Sequence, residues 1–187
     1  MAKEKGWVTA AEFNARAAAD PEFQRKRAER KARHAALWAE MEPEHAAIRR
    51  DLAAVGLKVS SIDEVINMSA PYPKAIPVLV QHLATARHPV LRDALARALT
   101  VREAEGIASG PILRELKREP NPGSETRWAM ANALTIVAVP ADADEIAALV
   151  EDPNFEDVRE RLTQALKNLR RPRRRRRANV DPAASRG

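Results

Sequence analysis

Three stretches of this chain share one eight-residue pattern, and their spacing limits the available folds more than any other feature. "RDALARAL" (residues 92–99), "RWAMANAL" (127–134) and "RERLTQAL" (159–166) all read R-x-x-[LM]-x-x-A-L, with the arginines 35 and then 32 residues apart. On a helix the fourth and eighth positions of the pattern share a face, and the alanine before the last leucine permits close approach of a neighbouring helix. Each copy is preceded by apolar residues at helical spacing. Ile76, Leu79 and Leu83 precede the first, Ile112, Leu113 and Leu116 the second, Ile146 and Leu149 the third. Proline or glycine separates the two members of each pair, at His88-Pro89, at Pro120 to Gly123 and at Asp152-Pro153. A helix–turn–helix unit of this length cannot bury its apolar stripe alone, but stacked units can. The spacing predicts an all-α chain with stacked helix pairs over residues 59–169. The Trp, Gly and Tyr positions of tetratricopeptide repeats and the ankyrin "TPLHxA" are both missing.

Composition agrees. Aromatics are only 4% of the 187 residues while hydrophobic residues reach 45%, with abundant alanine, the best helix former. The absence of cysteine excludes disulfides, thiolate nucleophiles and cysteine-ligated zinc. "MAKEKGWVTAAEF" lacks the apolar core of a signal peptide. The apolar runs "AIPVLV" and "ALTIVAVPA" are far short of the roughly 20 residues that span a bilayer. A cytoplasmic protein is the expectation.

Residues 1–58 read as an N-terminal helical extension. Thr9 to Glu12 forms a capping box, Asp20 an N-cap and Pro21 the first residue of a longer helix, about 21–41. Glu42-Pro43 is expected to end that helix. A further helix over 44–55 stops at Gly56, and Ser61 to Glu64 forms a second capping box. "SAPYP" (69–73) reads as a boundary before the repeats.

Charge is uneven along the chain. Residues 1–58 carry 12 basic and 9 acidic side chains, residues 59–169 carry 12 and 16, and residues 170–187 carry 8 and 1. The Arg-rich tail therefore supplies more than the whole net charge of +6. The basic pI marks one segment, not the body. Residues 170–187 are expected to be disordered, either as a selected polybasic tail or as the product of truncation or a frame change in a GC-rich gene.

"LVEDPNFEDVRERLTQAL" (149–166) is similar to the core of HEAT repeats, in which an aspartate and a Val-Arg pair precede an alanine–leucine helix. More closely, residues 62–166 resemble a group of bacterial HEAT-repeat proteins without an assigned biochemical role. The matching segments are "VINMSAPYPKAIPVLVQHL", "VLRDALARALTVREA" and "IAALVEDPN". The resemblance implies a short right-handed α-solenoid of HEAT-like helix pairs that contacts another macromolecule, and it carries over no catalytic residue. A further repeat normally follows in that group, where this chain has "NLRRPRRRRRANVDPAASRG". The third repeat is then uncapped, which opens a route to self-association.

No motif supplies chemistry. His34, His45, His82 and His88 are unpaired at metal-ligand spacing and are read as surface or helix-end residues. There is no P-loop, dinucleotide fingerprint or nucleophile elbow. Asp142, Asp144 and Glu145 complement a helix N-terminus. Trp128 stands where the other copies have Asp93 and Glu160, a position that reads either as an inter-repeat packing site or as a binding hot spot. HEAT-like DNA glycosylases pair tryptophan with a catalytic aspartate; here the residue one turn after Trp128 is Asn132, which provides no general base.

These observations predict a non-enzymatic protein–protein interaction scaffold without cofactor or metal. An unidentified protein would bind the surface lined by the second helices: Arg92, Asp93 and Arg97, then Arg127, Trp128 and Asn132, then Arg159, Glu160 and Gln164. The alternative is a nucleic-acid-associated protein. Arg25, Lys26, Arg27 and Arg30 of the basic helix, with Arg173, Arg174, Arg175, Arg176 and Arg177 of the tail, would then make non-specific phosphate contacts.

Overall fold

The computed structural model describes residues 9–170. Nine α-helices and no strand occur among them: α1 Ala10–Ala19, α2 Pro21–Ala54, α3 Ile62–Ile66, α4 Ile76–Thr85, α5 Pro89–Ala98, α6 Ser109–Arg118, α7 Glu125–Val137, α8 Ala143–Glu151 and α9 Arg159–Arg170. The chain divides into two compact units between Ala47 and Ile48, where the sequence reading placed its division at 58/59.

In the first unit the capping signals form as expected. Thr9 Oγ1 accepts from Glu12 N and Glu12 reaches back to Thr9 N. Asp20 Oδ1 accepts from Glu22 N and Phe23 N at 2.9 and 3.2 Å, opening α2. The expected break at Pro43 does not occur, because α2 runs through it to Ala54. Met41, His45, Ile48 and Leu52 form one buried stripe at helical spacing across the proline, whereas Pro43 lies on the exposed side. A proline there forfeits one backbone bond on the solvent face, which burial of the opposite face outweighs.

The second unit begins with the last turns of α2. Gly56, at φ +92°, closes that helix: Gly56 N donates to Ala53 O and Leu57 N to Leu52 O. These two bonds make a Schellman motif, and the left-handed conformation explains the glycine. The capping box expected at Ser61 does not form. Ser60 N and Oγ both bind the Glu64 carboxylate and hold it below the usual carboxylate range, while Ser61 makes no side-chain cap. Tyr72 of "SAPYP" is buried, with its hydroxyl donating to Ala98 O at 2.7 Å. That segment is packed onto the repeats through Tyr72.

Three helix pairs follow, α4–α5, α6–α7 and α8–α9. The second helices α5, α7 and α9 stack directly on one another, and each packs on the first helix of its own pair. Small residues allow that close stacking: Ala96, Ala98, Ala129, Ala131, Ala133 and Ala165 are all buried. Larger side chains fill the space between first and second helices, including Leu79, Leu95, Leu113, Leu116, Met130 and Leu162. The punctuation caps α5, α7 and the 3-10 turn Pro153–Val158 that leads into α9. His88 Nδ1 accepts from Val90 N, Ser124 Oγ from Arg127 N and Asp152 Oδ1 from Asn154 N. No helix among the described residues is long and apolar enough to cross a membrane.

Candidate partner-binding surface

Stacking the second helices sorts the residues of the repeated pattern into two sets. The leading arginines turn towards the next repeat. Arg92 bonds Glu119 at 2.5 Å and Glu115 at 3.4 Å, both contributed by the second pair. Arg127 donates to Asn154 O, lies over the Phe155 ring at 4.3 Å and has Nε 3.2 Å from Asp157 Oδ2. That Nε is out of line for a hydrogen bond, so the contact is an ion pair and not a directed bond. The expected place of Arg92 and Arg127 on an exposed surface is therefore corrected, since their side chains are 13% and 4% exposed. They are inter-repeat clamps, buried because a planar guanidinium satisfies several acceptors at once. Arg159 differs: it bonds Val150 O within its own repeat and stays 41% exposed.

The second set faces outward. Trp128 is 38% exposed, and guanidinium groups from both neighbouring repeats approach its ring. Arg97 of α5 and Arg161 of α9 each lie 5.5 Å from the ring centroid. Such contacts contribute about 0.5–1 kcal/mol each at exposed sites and hold the indole in one orientation. Asp93 Oδ2 accepts from Arg97 Nε at 2.8 Å, and Glu125 meets the same guanidinium at 3.3 Å. The Asp93 hydrogen bond foremost, opposed by desolvation, strengthens the hold of Arg97 on its proton. Further along, Gln164 Nε2 donates to Asn168 Oδ1, and Asn168 Nδ2 donates to Thr135 O of α7. Asn132 is half-buried on the same helix, and Glu160 extends into solvent.

Helix pairs of this length, stacked through alanine-lined second helices and joined by arginine–acid clamps, are matched over residues 76–167 by the HEAT-repeat family model. Residues 76–167 are HEAT repeats. Neither the curated proteins nor the solved structures contain a match to it.

The HEAT repeats bring Asp93, Arg97, Trp128, Asn132, Glu160 and Gln164 to one run of second helices. Arg161, Glu125 and Asn168 join them without having been expected from the sequence. Arg161 was missed because its register position holds alanine in the other copies, Ala94 and Ala129, so the repeat alignment carries no polar signal there. Glu115 and Glu119 were missed because their pairing with Arg92 spans repeats. One histidine departs from the surface or helix-end reading: His45 is buried, whereas His82 sits in the last turn of α4 with its Nε2 3.0 Å from Asp51 Oδ2. Asp144 and Glu145 do sit in the first turn of α8, with Lys117 bonding Glu145 at 2.6 Å. Asp142 Oδ2 accepts from Val139 N in the turn before that helix. Among the described residues no group of three metal-ligating side chains occurs.

The residues of the nucleic-acid alternative lie elsewhere in the chain. Arg25, Lys26, Arg27 and Arg30 are exposed on α2 in the first unit, where Lys26 pairs with Glu22 at 2.7 Å and Arg25 with Glu29 at 4.0 Å. Arg173 to Arg177, and the expectation of disorder for the tail, lie outside the described residues.

Proposed function

We propose that this chain is a non-enzymatic cytoplasmic scaffold that binds a protein partner along the surface lined by α5, α7 and α9. The observation that carries the reading is Trp128, a half-exposed tryptophan to which three successive repeats contribute through Arg97 and Arg161. Interface hot spots are enriched in tryptophan and arginine held in a fixed geometry, because little rotamer entropy is then lost on binding. HEAT repeats generally serve as protein-interaction scaffolds, which supports the same reading. The surface carries both signs of charge, Asp93, Glu125 and Glu160 against Arg97 and Arg161, which suits a protein better than a phosphate backbone.

The test is quantitative cross-linked capture from native extract with the full chain, its Trp128→Ala variant and its Arg161→Ala variant. A protein recovered with the parent chain and depleted at least tenfold with Trp128→Ala supports the surface. An unchanged set of captured proteins, with the variants still folded, would refute it.

A further inference from the structure

The three repeats present the same stripe towards whatever follows them, and its surroundings differ. In α5 the stripe is Arg92, Ala96 and Leu99; in α7 it is Arg127, Ala131 and Leu134. Both are covered by the next helix pair, and the alanines and leucines are fully buried. In α9 the same register holds Arg159, Thr163 and Leu166, all half-exposed.

We propose that this face of α9 is a docking surface for an acidic amphipathic helix of a partner protein. The two internal interfaces define what such a face takes. Each covering repeat brings a carboxylate to the leading arginine, Glu119 with Glu115 in one case and Asp157 in the other, and lays apolar side chains over the alanine and leucine. Arg159 has only the exposed Glu156 carboxylate, at 3.8 Å, beside it, so an occupant of α9 must bring a further carboxylate to Arg159 and cover Leu166. Charge narrows it further. Lys167 and Arg170 flank the stripe, and the seventeen residues after Arg170 add seven arginines against one aspartate. Like charge thus argues against that segment as the occupant and favours an acidic partner. Leu166 and Leu169 between the basic groups favour a helix with an apolar face over a phosphate backbone, which offers no apolar surface to cover them. This surface is separate from the one around Trp128, and neither depends on the other.

The experiment uses amide chemical shifts of the isotope-labelled full chain. The probe is a synthetic helical peptide of glutamate, alanine and leucine with its leucines on one face. Two control peptides replace the glutamates by lysine or the leucines by serine, and a short duplex DNA is the third control. The expected result is saturable shifts at Arg159, Thr163 and Leu166 with the first peptide only. Arg159→Ala and Leu166→Ser should each weaken the affinity about tenfold in a chain whose other shifts are unchanged, while Trp128→Ala leaves it intact. Three outcomes overturn the proposal: no shift at these residues, equal shifts with the serine peptide or DNA, or the same shifts on raising the chain concentration without any probe. The second outcome reduces the face to polycation attraction, and the third makes a second copy its occupant.

Discussion

Arg127 of α7 reaches across the junction between the second and third repeats and places its Nε 3.2 Å from the Asp157 carboxylate. Asp157 in turn accepts from Gly123 N at 2.7 Å, which ties the turn before α7 to the turn before α9. The pair works as a clamp because the arginine is almost wholly removed from water. Its loss would strand polar groups that the repeat junction has desolvated.

The first prediction compares one arginine in three settings. Arg127→Ala is expected to lower unfolding stability by about 3 kcal/mol, with Arg92→Ala of similar size because it leaves buried Glu119 and Glu115 without their cation. Arg159→Ala is expected to change it by no more than about 0.5 kcal/mol, as at other partly exposed sites. Urea unfolding of the three variants decides the matter. Equal effects at all three positions would show that the arginines are not inter-repeat clamps.

A second prediction uses the leucine that closes each pattern. Leu134 is buried at the α7–α9 junction, so Leu134→Ala leaves a cavity and should cost about 3 kcal/mol. Leu166 occupies the same register with one side open, and Leu166→Ala should cost less than about 1.5 kcal/mol. Thermal unfolding of both variants gives the comparison, and a larger loss at Leu166 would contradict the open face of α9.

Tyr72 provides a third test because the chain contains a single tyrosine. Burial foremost, with the nearby Glu103 charge, raises its phenol above the ordinary 10.0. The folded state therefore holds this proton more tightly than the unfolded state. Its contribution is fully present below pH 10 and is lost as pH rises towards the folded value. Phenolate absorbance in native buffer should titrate above 10.0 and return to about that value in denaturant. A native midpoint at or below 10.0 would show that the ring does not pack against α5.

The fourth prediction concerns acid. The hydrogen bond from the neighbouring Arg50 side chain is the main cause holding Asp51 below 3.8, with desolvation opposing and the His82 hydrogen bond adding to it. A depressed carboxylate stabilises the fold above its unfolded value and loses that contribution as pH falls through its folded value. Stability should therefore decline below about pH 3.8 with a slope that Asp51→Asn reduces. Identical acid profiles for the parent and Asp51→Asn chains would remove Asp51 from the account.

The arrangement of helices was legible in the linear pattern, because it depends on period and punctuation. Repeated leucines at helical spacing can only be buried by stacking, and prolines, glycines and capping side chains act within a few residues of themselves. The same local logic failed at Pro43. There the apolar stripe on the opposite face of α2 outweighed one missing backbone bond, a balance invisible to a rule about single residues. It failed again at Ser61, because the adjacent Ser60 donates to Glu64 in its place.

The all-α class and the three helix pairs follow from the period and punctuation of the chain. Which arginines turn inward and which stay out is settled by the packing of one repeat on the next. Arg92, Arg127 and Arg159 occupy one position of one pattern, yet the first two are clamps and the third is half-exposed. Their partners come from the next repeat, more than twenty residues away along the chain. Burial of a charged side chain depends on what stands opposite it in space, and a periodic sequence does not encode that neighbour.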